Sequence, residues 1–176
     1  AEARAALQEQ QYWAAVRLDE RGHALALARQ IVDSGRGRSG HEQWIERYLG
    51  LEFNWGSSGK AAEAAEVFIN DTSLSLPARA VAALRQTYFV ATGDRAITAR
   101  LWSRAEGLAR QVLQQGDAPT PFRLDYLQVR SEVENVFGNT HGSLATLREA
   151  VGVARRLVAV PRAAAASAAG FNAADA

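Results

Sequence analysis

The chain has 176 residues, enough for one domain whose core needs no disulfide or metal staple. With 48% hydrophobic and 22% charged residues the composition is globular, and a net charge of +1 lacks the positive excess expected of a general nucleic-acid binder. The absence of cysteine excludes disulfides, thiolate metal sites and a cysteine nucleophile.

An apolar period of 3.6 residues runs through nearly every long segment, and no alternating strand pattern stands out. It predicts eight helices, over 2–19, 23–34, 41–54, 59–70, 76–91, 96–115, 120–137 and 142–158. Gly22, Gly56, Gly93 and Gly138 are expected to break the chain between first and second helices, because glycine readily takes the left-handed conformation that ends a helix. Ser75 ahead of Pro77, and Thr120 ahead of Pro121, place a capping hydroxyl and a proline at helix starts. Three apolar stripes are expected to face the core. They are Ile97, Leu101, Ala105, Leu108, Ala109, Val112 and Leu113; then Phe122, Tyr126, Val129, Val133, Val136 and Phe137; then Leu144, Leu147, Val151, Ala154 and Leu157. Pro161 marks a boundary, which divides the chain into a repeat domain over 1–158 and an Ala-rich capping helix or linker over 159–176.

Lys60 is the one lysine, and the other basic residues are arginine. With the abundant alanine this fits a GC-rich bacterial coding bias; the functional alternative is that some arginines are forks for carboxylates. There is no methionine, even at position 1, so the chain is expected to be a domain excised from a longer protein. No apolar run approaches the roughly 20 residues that span a bilayer, and no signal peptide is visible. The compartment stays open between cytoplasm and periplasm.

The four glycine turns are spaced by 34, 37 and 45 residues. Repeats of this period are stacked helical hairpins, since one hairpin cannot bury its apolar face alone. Gly138-Asn139, followed by Ser143, Leu144 and Ala150 and preceded by the small Ser131, resembles the turn of a tetratricopeptide repeat. Gly22, with Ala15 before it and Leu27 after it, shows part of the same pattern, as does Gly59 with Ala64 and Ala65. The resemblance covers about residues 1–158. It implies an all-α fold: a right-handed α-solenoid of about four antiparallel hairpins, with first helices lining a concave groove.

Candidate chemical motifs fail on their own requirements. Gly35-Arg36-Gly37-Arg38-Ser39-Gly40 has the letters of a dinucleotide fingerprint, but a helix, not a strand, precedes it. With two arginines before a helix start, the loop could still hold an anion. Gly56-Ser57-Ser58-Gly59-Lys60 approaches a phosphate loop, yet Asn54 stands where its first glycine belongs and Ala61 where its hydroxyl belongs. His41-Glu42 opens like a zinc-protease helix, but position 45 is Ile45, and His23, His41 and His141 are far apart. Glu132 and Glu134 point in different directions on a helix, and Glu63 and Glu66 read as a solvated pair. No catalytic set, metal site or cofactor is therefore expected.

The aromatics are more informative. Tyr12, Trp13, Trp44, Tyr48, Phe53 and Trp55 fall on two first helices, and Trp44 and Tyr48 are four apart with Arg47 beside them. Tyr12, Trp44, Arg47 and Tyr48 are the expected groove residues, suited to an extended or acidic peptide. The competing assignment packs Trp13, Trp44 and Trp55 between repeats. The expected function is a protein- or peptide-binding module, a scaffold or sensory part of a larger signalling, secretion or envelope protein. The alternative is a small-molecule-sensing regulatory domain with a pocket between helical layers. Neither a nucleic-acid partner nor a membrane contact is expected. The Ala-rich 163–169 stretch offers a homodimer contact.

Overall fold

The computed structural model describes residues 2–36, 40–91, 94–116 and 120–171, and these contain eight α-helices and no strand. They are α1 (Glu2–Arg17), α2 (Arg21–Ser34), α3 (His41–Leu51), α4 (Ser58–Asn70), α5 (Leu76–Val90), α6 (Arg95–Leu113), α7 (Pro121–Val136) and α8 (Thr140–Phe171). The all-α expectation holds, with most boundaries within a few residues. No helix among the described residues is long and apolar enough to cross a membrane. The chain forms two compact units, Ala1–Val112 and Leu113–Ala176.

In the first unit α2 packs on α1 and on α3, while α5 packs on both α3 and α4. The reason lies in the sequence of α5. Ala78, Ala80, Val81, Ala82, Ala83, Leu84, Gln86, Thr87 and Phe89 are all buried, so this helix is interior on nearly every side. Such a helix must be small or apolar all round, and its alanines let neighbouring backbones approach. Its buried polar groups are satisfied locally: the Thr87 hydroxyl donates to the Ala83 carbonyl at 2.9 Å, and Gln86 Nε2 donates to the Ala62 carbonyl at 3.1 Å. Ile45, Leu49, Ile69 and Leu84 fill the centre of this unit.

Helix starts follow the sequence closely. Ser75 Oγ accepts from the Ala78 amide at 3.3 Å and Thr120 Oγ1 from the Arg123 amide at 3.0 Å, each with proline in the first turn. Asp94 Oδ1 caps α6 by accepting from the Ala96 and Ile97 amides. Each such cap stabilises its helix by about 1 kcal/mol.

The glycine breaks fare differently. Gly138 has φ +79° and closes α7 as expected. Gly22 does not form a turn; it lies inside α2, and the left-handed residue is Asp19, at φ +55°, beside which the Arg21 guanidinium takes the Asp19 carboxylate at 2.9 Å. Gly56 ends a π-helical turn over Glu52–Gly56 that continues α3. A Cβ there would stand 2.9 Å from the Glu52 carboxylate, so the glycine makes room for that side chain. Gly93 lies outside the described residues. The last helix, expected over 142–158, runs on through Pro161 to Phe171.

The second unit is the hairpin of α7 and α8. On α7, Tyr126, Val129 and Val133 are buried as expected, whereas Phe137 is exposed. On α8 the stripe is turned by one residue. Ser143, Thr146, Ala150 and Val153 face inward, and Leu144, Leu147 and Val151 lie outside. The close approach explains the rotation. Ser131 Oγ and Ser143 Oγ meet at 2.9 Å, and the Thr146 hydroxyl donates to Glu134 at 2.8 Å, contacts that leucine could not make. The small residues at 131, 143 and 150 thus occupy the interhelical contact. On α6 the deeply buried positions are Thr98, Ala105 and Ala109, while Ile97 is exposed.

Two substitutions in α5 probe its interior position. Leu84→Ala is expected to cost about 2–5 kcal/mol through lost burial and the cavity left behind. Ala82→Leu is expected to cost about 1–3 kcal/mol through overpacking. Urea unfolding of both variants measures these losses, and an unchanged midpoint for either contradicts the packing described.

Candidate functional site

Tyr12 on α1 and Trp44 on α3 meet edge to face, with ring centroids 5.1 Å apart, and Trp13 meets Tyr12 at 5.0 Å. The Arg47 guanidinium lies 4.5 Å from the Trp44 ring centroid and 4.9 Å from that of Trp13, so two indoles hold it. Trp44 and Arg47 sit one turn apart on α3, and Trp13 comes to them from α1. Tyr12 is buried, which raises its phenol above the ordinary value, an effect that the nearby Arg47 charge partly offsets. Trp13 is 41% exposed.

Tyr48 belongs to another cluster. Its ring is buried edge to face on Phe68, 6.0 Å between centroids, and its hydroxyl donates to Glu52 at 2.9 Å. Arg29 lies over both rings, at 5.4 and 5.5 Å, and its Nε donates to Asp33 at 3.0 Å. The structure therefore joins Tyr12, Trp44 and Arg47 and separates Tyr48 from them. The four-residue spacing of Trp44 and Tyr48 puts them on one side of α3, but each meets a different neighbour. Trp13, which the competing assignment buries, is the partly exposed wall of the cluster.

The environment of Arg47 is unlike that of the other half-buried arginines. Arg29, Arg85, Arg104, Arg123 and Arg130 each meet a carboxylate, and Arg79 donates to the Ile69 carbonyl at 3.0 Å. Arg47 has stacking partners on its faces, and no acceptor among the described residues takes its in-plane N–H groups. A guanidinium clamped in this way retains its fork for a planar anion.

Other titratable groups have structural partners. His41 is buried, and its Nε2 donates to the Val32 carbonyl at 2.8 Å, which ties the end of α2 to the start of α3. Arg36 is held by Asp71 at 2.9 Å and by Ser73 at 3.0 Å; Gly37, Arg38 and Ser39 of that loop lie outside the described residues. Ser57, in the segment that approaches a phosphate loop, caps α4 by accepting from the Lys60 amide. Among the described residues no three His, Asp or Glu side chains gather as metal ligands.

Glu66 is the hub of a different network. It accepts from Arg104 at 2.8 Å, Gln86 at 2.9 Å and Asn70 at 2.8 Å, and so links α4, α5 and α6. The Arg104 hydrogen bond, then that of Gln86, lowers its carboxyl from 4.5 to about 2. Sequence spacing pairs Glu66 with Glu63; of its actual partners Asn70 lies one turn on in α4, while Gln86 and Arg104 come from other helices, which spacing along one helix does not reveal.

No protein-family profile matches the chain, nor does any curated protein or any solved structure.

Because the Glu66 pKa is depressed in the fold, its contribution is present above pH 4.5 and is lost as the pH falls towards about 2. Its side chain is 44% exposed, so solvent screening keeps that contribution below about 1 kcal/mol. Glu66→Gln is expected to flatten this part of the acid-denaturation profile, measured by circular dichroism against pH. An acid limb identical to that of the parent chain rules the linkage out.

Proposed function

We propose that the chain is a protein-interaction module of tetratricopeptide-like helical hairpins that takes an acidic, extended peptide on its first helices. Arg47 carries this reading: it is half-buried, clamped by Trp13 and Trp44, and lacks the acceptor that every other half-buried arginine among the described residues has. A peptide carboxylate would meet the in-plane N–H groups of Arg47, and the exposed part of Trp13 would cover the adjoining apolar stem. Tyr12 and Tyr48 would act from below, as packing under α3, since both are buried.

The repeat part of the proposal draws on the order of packing. Helix α2 packs on α1 and on α3, α3 meets α5, and α7 with α8 makes a hairpin. These neighbours suit stacked hairpins. Such a module is suited to a scaffold or sensory role within a larger bacterial signalling, secretion or envelope protein.

Binding of acidic and neutral extended peptides can be followed through the fluorescence of Trp13 and Trp44. The acidic set is expected to bind and to change the emission. Arg47→Ala is expected to weaken binding at least ~10-fold, in line with a lost charge-assisted contact. Arg47→Lys, which retains charge without the planar fork, should recover only part of it. Equal affinity of the parent chain and folded Arg47→Ala for every acidic peptide overturns the site.

A further inference from the structure

The outward side of α8 carries a second apolar surface, separate from the Arg47 cluster. Leu144, Leu147, Val151 and Val158 are 47%, 43%, 49% and 66% exposed. With Ala154 they follow a 3-4-3-4 spacing over 14 residues, a straight seam about 21 Å long. The inward flank, one residue round the helix, is already filled by α7 through Ser143, Thr146, Ala150 and Val153. An open hollow of about 450 Å³ borders Ala154, Arg155, Val158 and Ala159 at the far end of the seam.

Charge identifies the occupant. Arg148 and Arg155 flank the seam on one side, four residues after Leu144 and Val151, and Arg156 adds a third charge farther round the helix. All three are exposed, and no carboxylate among the described residues pairs with them. Glu149, the nearest acid on α8, is taken by Arg123 at 3.1 Å. The flank is therefore uniformly positive. In an antiparallel pair of identical seams it would set Arg148 and Arg155 against their own copies, which opposes self-association. The seam is narrow and bears no aromatic residue, whereas an interfacial membrane helix presents a broad face with aromatic and large apolar residues.

We propose that this face of α8 docks an amphipathic helix of an acidic protein partner, its leucine-type side chains in the seam and its carboxylates along Arg148 and Arg155. A heptad-patterned helix would meet the 3-4-3-4 row with side chains of matching spacing, and its flanking glutamates would pair with the arginines.

The test uses the whole chain and two synthetic helices with leucine at the seam positions, one flanked by glutamate and one by lysine. Fluorescence anisotropy is expected to show saturable binding of the glutamate helix, at least ~10-fold tighter than the lysine helix, with the preference shrinking as salt rises. The exposed double reversal Arg148→Glu, Arg155→Glu is expected to invert the preference, its fold being checked by circular dichroism. Equal binding of the two helices to the parent chain overturns the proposal without recourse to any variant. So does a folded double variant that still prefers the glutamate helix. Saturable binding to anionic phospholipid vesicles with neither helix bound assigns the face to a membrane instead. Concentration-dependent dimerisation abolished by Val151→Glu, again with neither helix bound, assigns it to a second copy.

Discussion

Close approach of helices through small side chains is the constraint on which both units depend. In the first unit the contact helix is α5, where the small side chains of Ala78, Ala80, Ala82 and Ala83 lie buried in the helix that packs on both α3 and α4. In the second unit Ser131, Ser143 and Ala150 do the same for α7 and α8. Alanine contributes little apolar area of its own. Its effect is to let Ile45, Leu49, Ile69 and Leu84 reach one another across a shortened gap, where dispersion and burial are largest. Larger residues displaced from those contacts, such as Leu144 and Leu147, have no place left except the outside.

Arginine has the complementary role. It supplies nearly all the positive charge, and most half-buried guanidiniums bridge helices: Arg85 to Glu46 joins α5 to α3, Arg104 to Glu66 joins α6 to α4, and Arg123 to Glu149 joins α7 to α8. Each pair contributes modestly because it is partly solvated. Their value is geometric, since a planar fork fixes the rotation of one helix relative to the next. Arg47 departs from this pattern: among the described residues it is held by the Trp13 and Trp44 rings and by no carboxylate.

Much of the helical layout was legible in the amino-acid order. Period, prolines and capping hydroxyls placed the helices, and Ser75 and Thr120 do cap them. Turn chemistry was less legible. The residue pattern assigns every left-handed position to glycine, but after α1 it is Asp19 that holds that conformation, with Arg21 on its carboxylate, while Gly22 lies inside α2. The orientation of α8 is not legible because hydrophobicity alone ranks leucine above serine for the core, whereas contact distance ranks them the other way. For the candidate site, Trp44 and Arg47 could be paired from spacing on α3. Trp13 could not, because its position depends on how α1 lies near α3.

The π-helical turn at Glu52–Gly56 has an evolutionary corollary. A turn of this kind holds one residue more than the α-turn it replaces, which is how a helix accommodates an insertion without losing its register on the N-terminal side. Here it brings Phe53 parallel to Phe89, 4.6 Å between centroids and 11° between planes. A chain shortened by one residue at this point would close into regular α-helix and swing the following side chains by about 100°. Length in this five-residue stretch, more than residue identity, is thus the quantity that related chains would have to preserve.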